Sequence, residues 1–248
     1  MSKVALVTGA SRGIGAATAR QLAEHGYHVC INYRTRKETA ERLANELGKS
    51  SEKVIAVQAD VSVEEDVGRL FATIDQELGR LTHLVNNAGI LLPQTTVEEI
   101  TAERVNKLLT TNVTSYFLCC REAIKRMSTN HGGQGGAMVN VSSVAARLGS
   151  AGEYVDYAAS KGAIDTLTTG LAREVATQGI RVNCVRPGFI DTEIHADGGE
   201  PDRIERVKPN IPLRRGGKSE EVAAAIAWLL SDEASYVTGS FTEIAGGR

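Results

Sequence analysis

In the stretch YAASK at residues 157–161, a phenol and an ammonium stand four residues apart. On a helix that spacing puts both side chains on one face. A free phenol titrates at about 10, too high for easy proton exchange near neutrality. A neighbouring ammonium favours the phenolate and lowers that value, so Tyr157 beside Lys161 reads as a general acid. Tyr154 has Ala158 where Tyr157 has Lys161. Seven residues separate Tyr154 from the lysine, about 10 Å along a helix and too far for direct contact. Positions i and i+3 share a side, which makes Tyr154 a candidate for a substrate wall.

A second constellation, VTGASRGIGAATARQL, reads as a strand, a glycine-rich turn and a helix. Gly9, Gly13 and Gly15 permit tight backbone and close approach of a ligand. The helix start behind them offers free N–H groups and a positive dipole end to an anion. The spacing is G-x-x-x-G-x-G rather than G-x-G-x-x-G, but its place after the first strand points to a dinucleotide. The second strand ends CINYRTRKE. An NAD-selective site often has an acid there; this chain has Asn32, Tyr33 and Arg34, with Arg12 in the turn. Two guanidinium forks suit a 2′-phosphate, so NADP(H) is the preferred cofactor and NAD(H) stays possible. Arg34 simply facing solvent is the alternative. Asp60, closing the third strand, is placed to hold the adenine edge.

These residues need a scaffold that brings strand ends together. Seven apolar segments have strand length: Val4–Val7, Val29–Ile31, Val54–Val57, Leu84–Val85, Met138–Val141, Val182–Val185 and Phe241–Ile244. Most are continuous apolar runs, as expected of strands buried on both faces of a parallel sheet. Helical patterns lie between them, two ending at Gly26 and Gly179, and Ser62 with Glu65 has the form of a capping box. The alternation predicts an α/β, doubly wound Rossmann-type fold, with a central, mostly parallel seven-stranded sheet flanked by helices. No repeat or shift in composition divides the chain, so residues 1–248 read as one dinucleotide-binding and catalytic domain. The irregular stretch at 191–215 reads as a mobile cover over a ligand cleft.

Composition excludes several classes. With 42% hydrophobic and 23% charged residues, and a net charge of −2, nothing favours nucleic acid or an anionic membrane. MSKVALVTG runs straight into a strand-like segment with no signal core, and no apolar stretch is long enough to cross a bilayer. Cys30, Cys119, Cys120 and Cys184 show neither metal-ligand nor disulfide-framework spacing, which favours buried thiols in a reducing cytoplasm. The five histidines form no ligand cluster, so no metal is expected.

Taken in order, TGASRGIG at 8–15, NNAG at 86–89, TNVTS at 111–115, VSS at 141–143, YAASK, RVNCVRPG at 181–188 and SYVTGSFTEIAGG at 235–247 resemble the short-chain dehydrogenase/reductase family. The resemblance spans essentially the whole chain, in that family's single-domain branch. It looks closest to bacterial members similar to glucose 1-dehydrogenase or 3-oxoacyl-carrier-protein reductase. It implies Asn112, Ser143, Tyr157 and Lys161 as the catalytic residues. Ser143 would bond the substrate oxygen, with Ser142 as the alternative. Lys161 would also donate to the nicotinamide ribose, and Asn112 would hold a water relaying protons to it, unless it merely bonds main chain. Ser143 lies fourteen residues before Tyr157, one more than the family pattern suggests, which places an extra residue in the SAGEYVD loop. The cofactor would lie along Gly9, Ser11, Arg12, Gly13, Ile14, Gly15, Tyr33, Arg34, Asp60, Val61, Asn87, Ala88 and Gly89. Tyr157 and Lys161 would touch it too, with Pro187, Gly188, Ile190 and Thr192 over the nicotinamide. Core packing for Ile190 and a helix cap for Thr192 are the alternatives. The expected activity is hydride transfer between a nicotinamide and a carbonyl or alcohol, in a homotetramer with interfaces at the Trp228 helix and last strand. A silent NADP(H)-binding regulator or a nucleotide-retaining epimerase or dehydratase are the competing functions.

Overall fold

The computed structural model describes residues 3–49 and 53–248. Among these, seven strands form one sheet: β1 Lys3–Val7, β2 Tyr27–Tyr33, β3 Val54–Gln58, β4 His83–Asn86, β5 Gly136–Val141, β6 Ile180–Pro187 and β7 Phe241–Ile244. The order is β3-β2-β1-β4-β5-β6-β7, and every pairing is parallel. Each of the seven apolar segments falls in its own strand. The order reverses between β1 and β4, and in such sheets ligands bind outside the carboxyl ends of strands at that switch point.

The helices are α1 Gly13–Glu24, α2 Lys37–Leu47, α3 Glu64–Glu77, α4 Ala102–Leu109, α5 Ser115–Met127, α6 Ala145–Leu148, α7 Val155–Val175, α8 Ile194–Asp197, α9 Arg203–Val207 and α10 Ser219–Leu230. The continuous apolar character of β1 follows from burial on both sides. Ala5 and Val7 enter a core with Leu22, Leu43 and Ile226 of α1, α2 and α10, while Val4 and Leu6 enter one with Phe71, Ala123 and Leu171 of α3, α5 and α7. Burying a side chain of that size contributes about 1.5–3 kcal/mol. All four cysteines are buried and free, and no helix among the described residues is long and apolar enough to cross a membrane.

One local expectation fails. Val63, not Ser62, stands at the N-cap of α3, and no side chain caps it. The Ser62 hydroxyl instead donates to Asp60 Oδ1 at 2.6 Å, and Asp66 Oδ2 accepts the Asp60 N–H at 2.8 Å. Asp60 accepts both the N–H and the hydroxyl of Ser62, which holds Ser62 in a local turn ahead of the helix start instead of at its N-cap.

Candidate active site

The carboxyl end of β1 leads into the glycine-rich turn, and the end of β4 lies beside it. A Cβ at Gly9 would stand 2.9 Å from Ala88 Cα, and one at Gly15 would stand 2.6 Å from Asn87 Nδ2. Only glycine allows this approach. Thr8 fastens the two strand ends, its hydroxyl accepting the N–H groups of Asn87 and Ala88 at 2.9 and 3.0 Å. Asn32 fastens the third, accepting from Gly9 N–H at 3.2 Å and donating to Ala59 O at 3.1 Å. The helix behind the turn has no acid in its first turn, so no carboxylate of that turn would compete with an anion for its leading N–H groups. A cleft of about 250 Å³ opens here, bounded by Ser11, Gly13, Tyr33, Val61, Gly89 and Thr192. Glycine cradle, free helix start and flanking guanidinium groups fit a dinucleotide. Gly15 does not line the cleft; it lets Asn87 approach.

The guanidinium groups are already engaged. Arg12 pairs with Glu193 at 2.6 Å and with Asp197, and Arg36 pairs with Glu193 at 2.9 Å. Arg34 lies 3.7 Å from Asp60. The same Asp60 holds the Ser62 turn, so its carboxylate is divided between the loop and Arg34.

A second hollow, about 100 Å³, continues from the first past Ile14 and Gly89 to Ser143, Tyr157, Lys161 and Pro187. Gly188, Ile190 and Thr192 close it on the β6 side. Thr192 caps no helix, since Glu193 holds the N-cap position of α8. Ile190 is buried and bridges to Gly217. Both serines line this hollow, but Ser142 is buried and donates to Lys161 O at 3.1 Å, whereas Ser143 is half-buried and also opens into the hollow beyond Tyr157.

Lys161 is buried with its ammonium donating to Val141 O at 2.7 Å, 5.6 Å from the centre of the Tyr157 ring. Tyr116 also donates to Val141 O, at 2.9 Å, so this carbonyl anchors the group. Burial pushes Lys161 down to about 8, against the pull of Cys184 and Asp165. Burial also pushes the Tyr157 phenol up to about 12, opposed by the Ser143 hydroxyl and by Arg203. Both groups are driven toward their neutral forms, which keeps the proton on the phenol.

Asn112 sits in a π-helical turn, Thr110–Thr114, between α4 and α5. Its amide exchanges two hydrogen bonds with Ile90, accepting the N–H at 2.8 Å and donating to the carbonyl at 3.0 Å. Nδ2 also reaches Ser160 Oγ at 3.3 Å, and Ser160 donates to Tyr157 O at 2.7 Å. Main-chain bonding thus occupies the amide, though on the loop after β4 rather than on its own helix. Ser160, Tyr116 and the Val141 carbonyl escaped the sequence reading; Ser160 lies inside YAASK, but nothing in its type shows burial.

A third hollow, about 320 Å³, opens beyond Ser143 and Tyr157 between Leu91, Val144, Leu148 and Phe189. Tyr154 is the N-cap residue of α7, not part of its face, yet it lines this hollow. Its hydroxyl donates to Gly198 O at 3.2 Å, and the Arg203 guanidinium lies 4.6 Å from its ring centre. Arg203 also pairs with Glu153 and Glu200. At the helix start, Asp156 accepts from Tyr157 N–H at 2.8 Å and from Arg104 at 2.7 Å. A further hollow, about 950 Å³, lies at the opposite end of the strands, by the amino ends of β1, β4, β5 and β6, beside Lys3, Arg80 and Arg181. Its three arginines, Arg80, Arg126 and Arg181, bond main-chain carbonyls, and no expected site residue lines it.

A family model described as enoyl-(acyl carrier protein) reductase matches residues 9–248. The chain belongs to the short-chain dehydrogenase/reductase family. It is an NAD(P)-dependent oxidoreductase acting on CH–OH/C=O groups. It is 65% identical over 245 residues to the uncharacterized oxidoreductase YgfF of Escherichia coli, covering 99% of each chain. It is 37% identical to the 3-oxoacyl-(acyl-carrier-protein) reductase FabG of Staphylococcus aureus, over 100% of this chain and 98% of that one. Identity is also 37% to glucose 1-dehydrogenase 2 of Bacillus subtilis, over 99% and 94%. Among solved structures, a dehydrogenase/reductase from Sinorhizobium meliloti superposes with a TM-score of 0.91 at 32% identity, covering 100% of this chain and 95% of that one.

Proposed function

We propose that this chain interconverts a carbonyl and an alcohol with NADP(H) as preferred cofactor and NAD(H) as the weaker one. The observation that carries the reading is the shared hollow: Ser143, Tyr157 and Lys161 open into a single space continuous with the glycine cradle. Gly9 to Gly15, Asp60, Val61 and Asn87 to Gly89 would hold the adenosine and pyrophosphate. Pro187, Gly188, Ile190 and Thr192 would hold the nicotinamide. When bound, the nicotinamide supplies or accepts the hydride.

The remaining steps belong to side chains. Ser143 bonds the substrate oxygen and fixes its distance from the phenol. Tyr157 delivers its proton to that oxygen as negative charge develops there. Lys161, held by Val141 O, stabilises the phenolate left behind, and Asn112 with Ser160 fixes the backbone at Tyr157. Residues 1–248 act as one catalytic domain, with 191–215 covering the cleft.

Two of the relatives are named for a 3-oxoacyl-(acyl-carrier-protein) and for glucose, two different substrate classes. Leu91, Val144, Leu148 and Phe189 favour a small to medium carbonyl with an apolar part. Exposed Trp228 on α10 and Phe117 on α5 support assembly as a homotetramer, which light scattering after size exclusion measures.

The test of function is nicotinamide oxidation over sugars, β-ketoacyl thioesters and quinones, with NADPH and NADH in parallel. Tyr157→Phe should lose about 10²–10⁴-fold in turnover while still binding cofactor. Undiminished turnover in that variant removes Tyr157 as the acid.

A further inference from the structure

Every guanidinium group that rims the adenosine end of the cleft is held by a carboxylate, and two of those carboxylates come from the segment after β6. Glu193 takes both Arg12 and Arg36, and Asp197 takes Arg12 a second time. The pairs join the glycine turn and the loop after β2 to α8 and its N-cap residue, 181 and 185 positions along the chain from Arg12. Glu193 itself lines the cleft beside Arg12, Arg34, Arg36 and Thr35. A phosphate entering there meets no free arginine among these three; it must take one from an acid.

The geometry points to Glu193 and Asp197 as residues that set cofactor selectivity, by competing with the 2′-phosphate for Arg12 and Arg36. This rests on the cofactor reading above and adds the side chains that oppose it. The two cofactors differ at the 2′ position alone, so only NADP(H) carries a group that exchanges places with these carboxylates. The charge balance supports the same direction. Two arginines face two acids, leaving the latch neutral, and a dianionic phosphate gains a cationic site only when the acids let go. Exposed pairs of this kind are weak, so the exchange is feasible, and its cost appears as a modest loss of NADP(H) affinity.

The test is binding, measured by calorimetry on the full chain with NADPH and NADH, for wild type and for Glu193→Gln with Asp197→Asn. Both acids are exposed and the replacements keep their shape, so the fold should hold; a thermal melt checks it. Glu46→Gln, which loses an exposed pair with Arg20 elsewhere, is the control. The double variant should bind NADPH about three- to tenfold more tightly, with NADH shifted by less than about twofold. An unchanged NADPH affinity, or an equal gain for both cofactors, overturns the assignment. A wild type that binds NADH more tightly, with a double variant shifted toward NADPH, refutes the cofactor preference yet supports the competing role of the acids.

Discussion

Segment 191–215 is gripped at two places, with similar side chains in opposite settings. Toward the glycine turn, Arg12 and Arg36 hold Glu193 and Asp197 in a half-exposed cluster. Toward the catalytic helix, Arg203 is 6% exposed, stacked on the Tyr154 ring and paired with Glu153 and Glu200. Arg206 shares both acids, at 2.8 Å from Glu153. Water screens the first grip, so it is suited to exchange with a ligand anion. In the second the Arg203 guanidinium is desolvated, while its acids stay partly hydrated and keep Arg206 as a second partner. The difference teaches which end of the segment a ligand can move and which end holds the substrate wall in shape.

The largest expected effect breaks the buried grip. Arg203→Ala should destabilise the protein by about 2 kcal/mol, since Glu153 and Glu200 keep part of their hydration and soften the loss. A urea melt reads it; a change within error would mean that the stacked guanidinium contributes only contact area. Next comes pH. Lys161, pushed down to about 8 by burial, is charged below that value and neutral above it. Carbonyl reduction should therefore decline as pH rises through about 8, by up to tenfold per unit. At the exposed grip, Arg12 and Arg36 hold Glu193 below the usual carboxylate range. That contact forms above the ordinary value of a free Glu and is lost only as pH falls through the lowered one. A rate profile with no break near pH 8 would detach the lysine from the chemistry.

Much of this was legible beforehand, for reasons that differ by residue. The β-strands announced themselves because burial on both faces leaves continuous apolar runs such as Val4–Val7. Tyr157, Lys161, Ser143 and the glycines were visible because their types and spacing are rare in combination, and the structure brings all of them except Gly15 into joined hollows. Arg12 was read toward a phosphate, but its carboxylate partners lie far along the chain and no local pattern marks them. Tyr154 was placed by helix-face reasoning that does not apply, since its backbone is not yet helical (φ −146°, ψ 50°). It reaches the substrate hollow through contacts with Gly198 and Arg203, both more than forty positions away. Local spacing encodes chemistry well; it encodes long-range pairing hardly at all.

The two smallest effects set the grips side by side. Tyr154→Phe removes one buried hydrogen bond and leaves the ring under Arg203, so it should cost about 0.5–1.5 kcal/mol. Arg36→Ala removes an exposed pair whose acid keeps Arg12, so its cost should stay below about 0.5 kcal/mol. Added salt should narrow the Arg36→Ala effect and leave the Tyr154→Phe effect unchanged, because screening acts on exposed charge and not on a buried neutral bond. Paired melts at low and high ionic strength decide the matter. Equal salt sensitivity in the two variants would mean that the Tyr154 hydroxyl acts through the neighbouring charges, and the division between an exchangeable grip and a fixed one would fail.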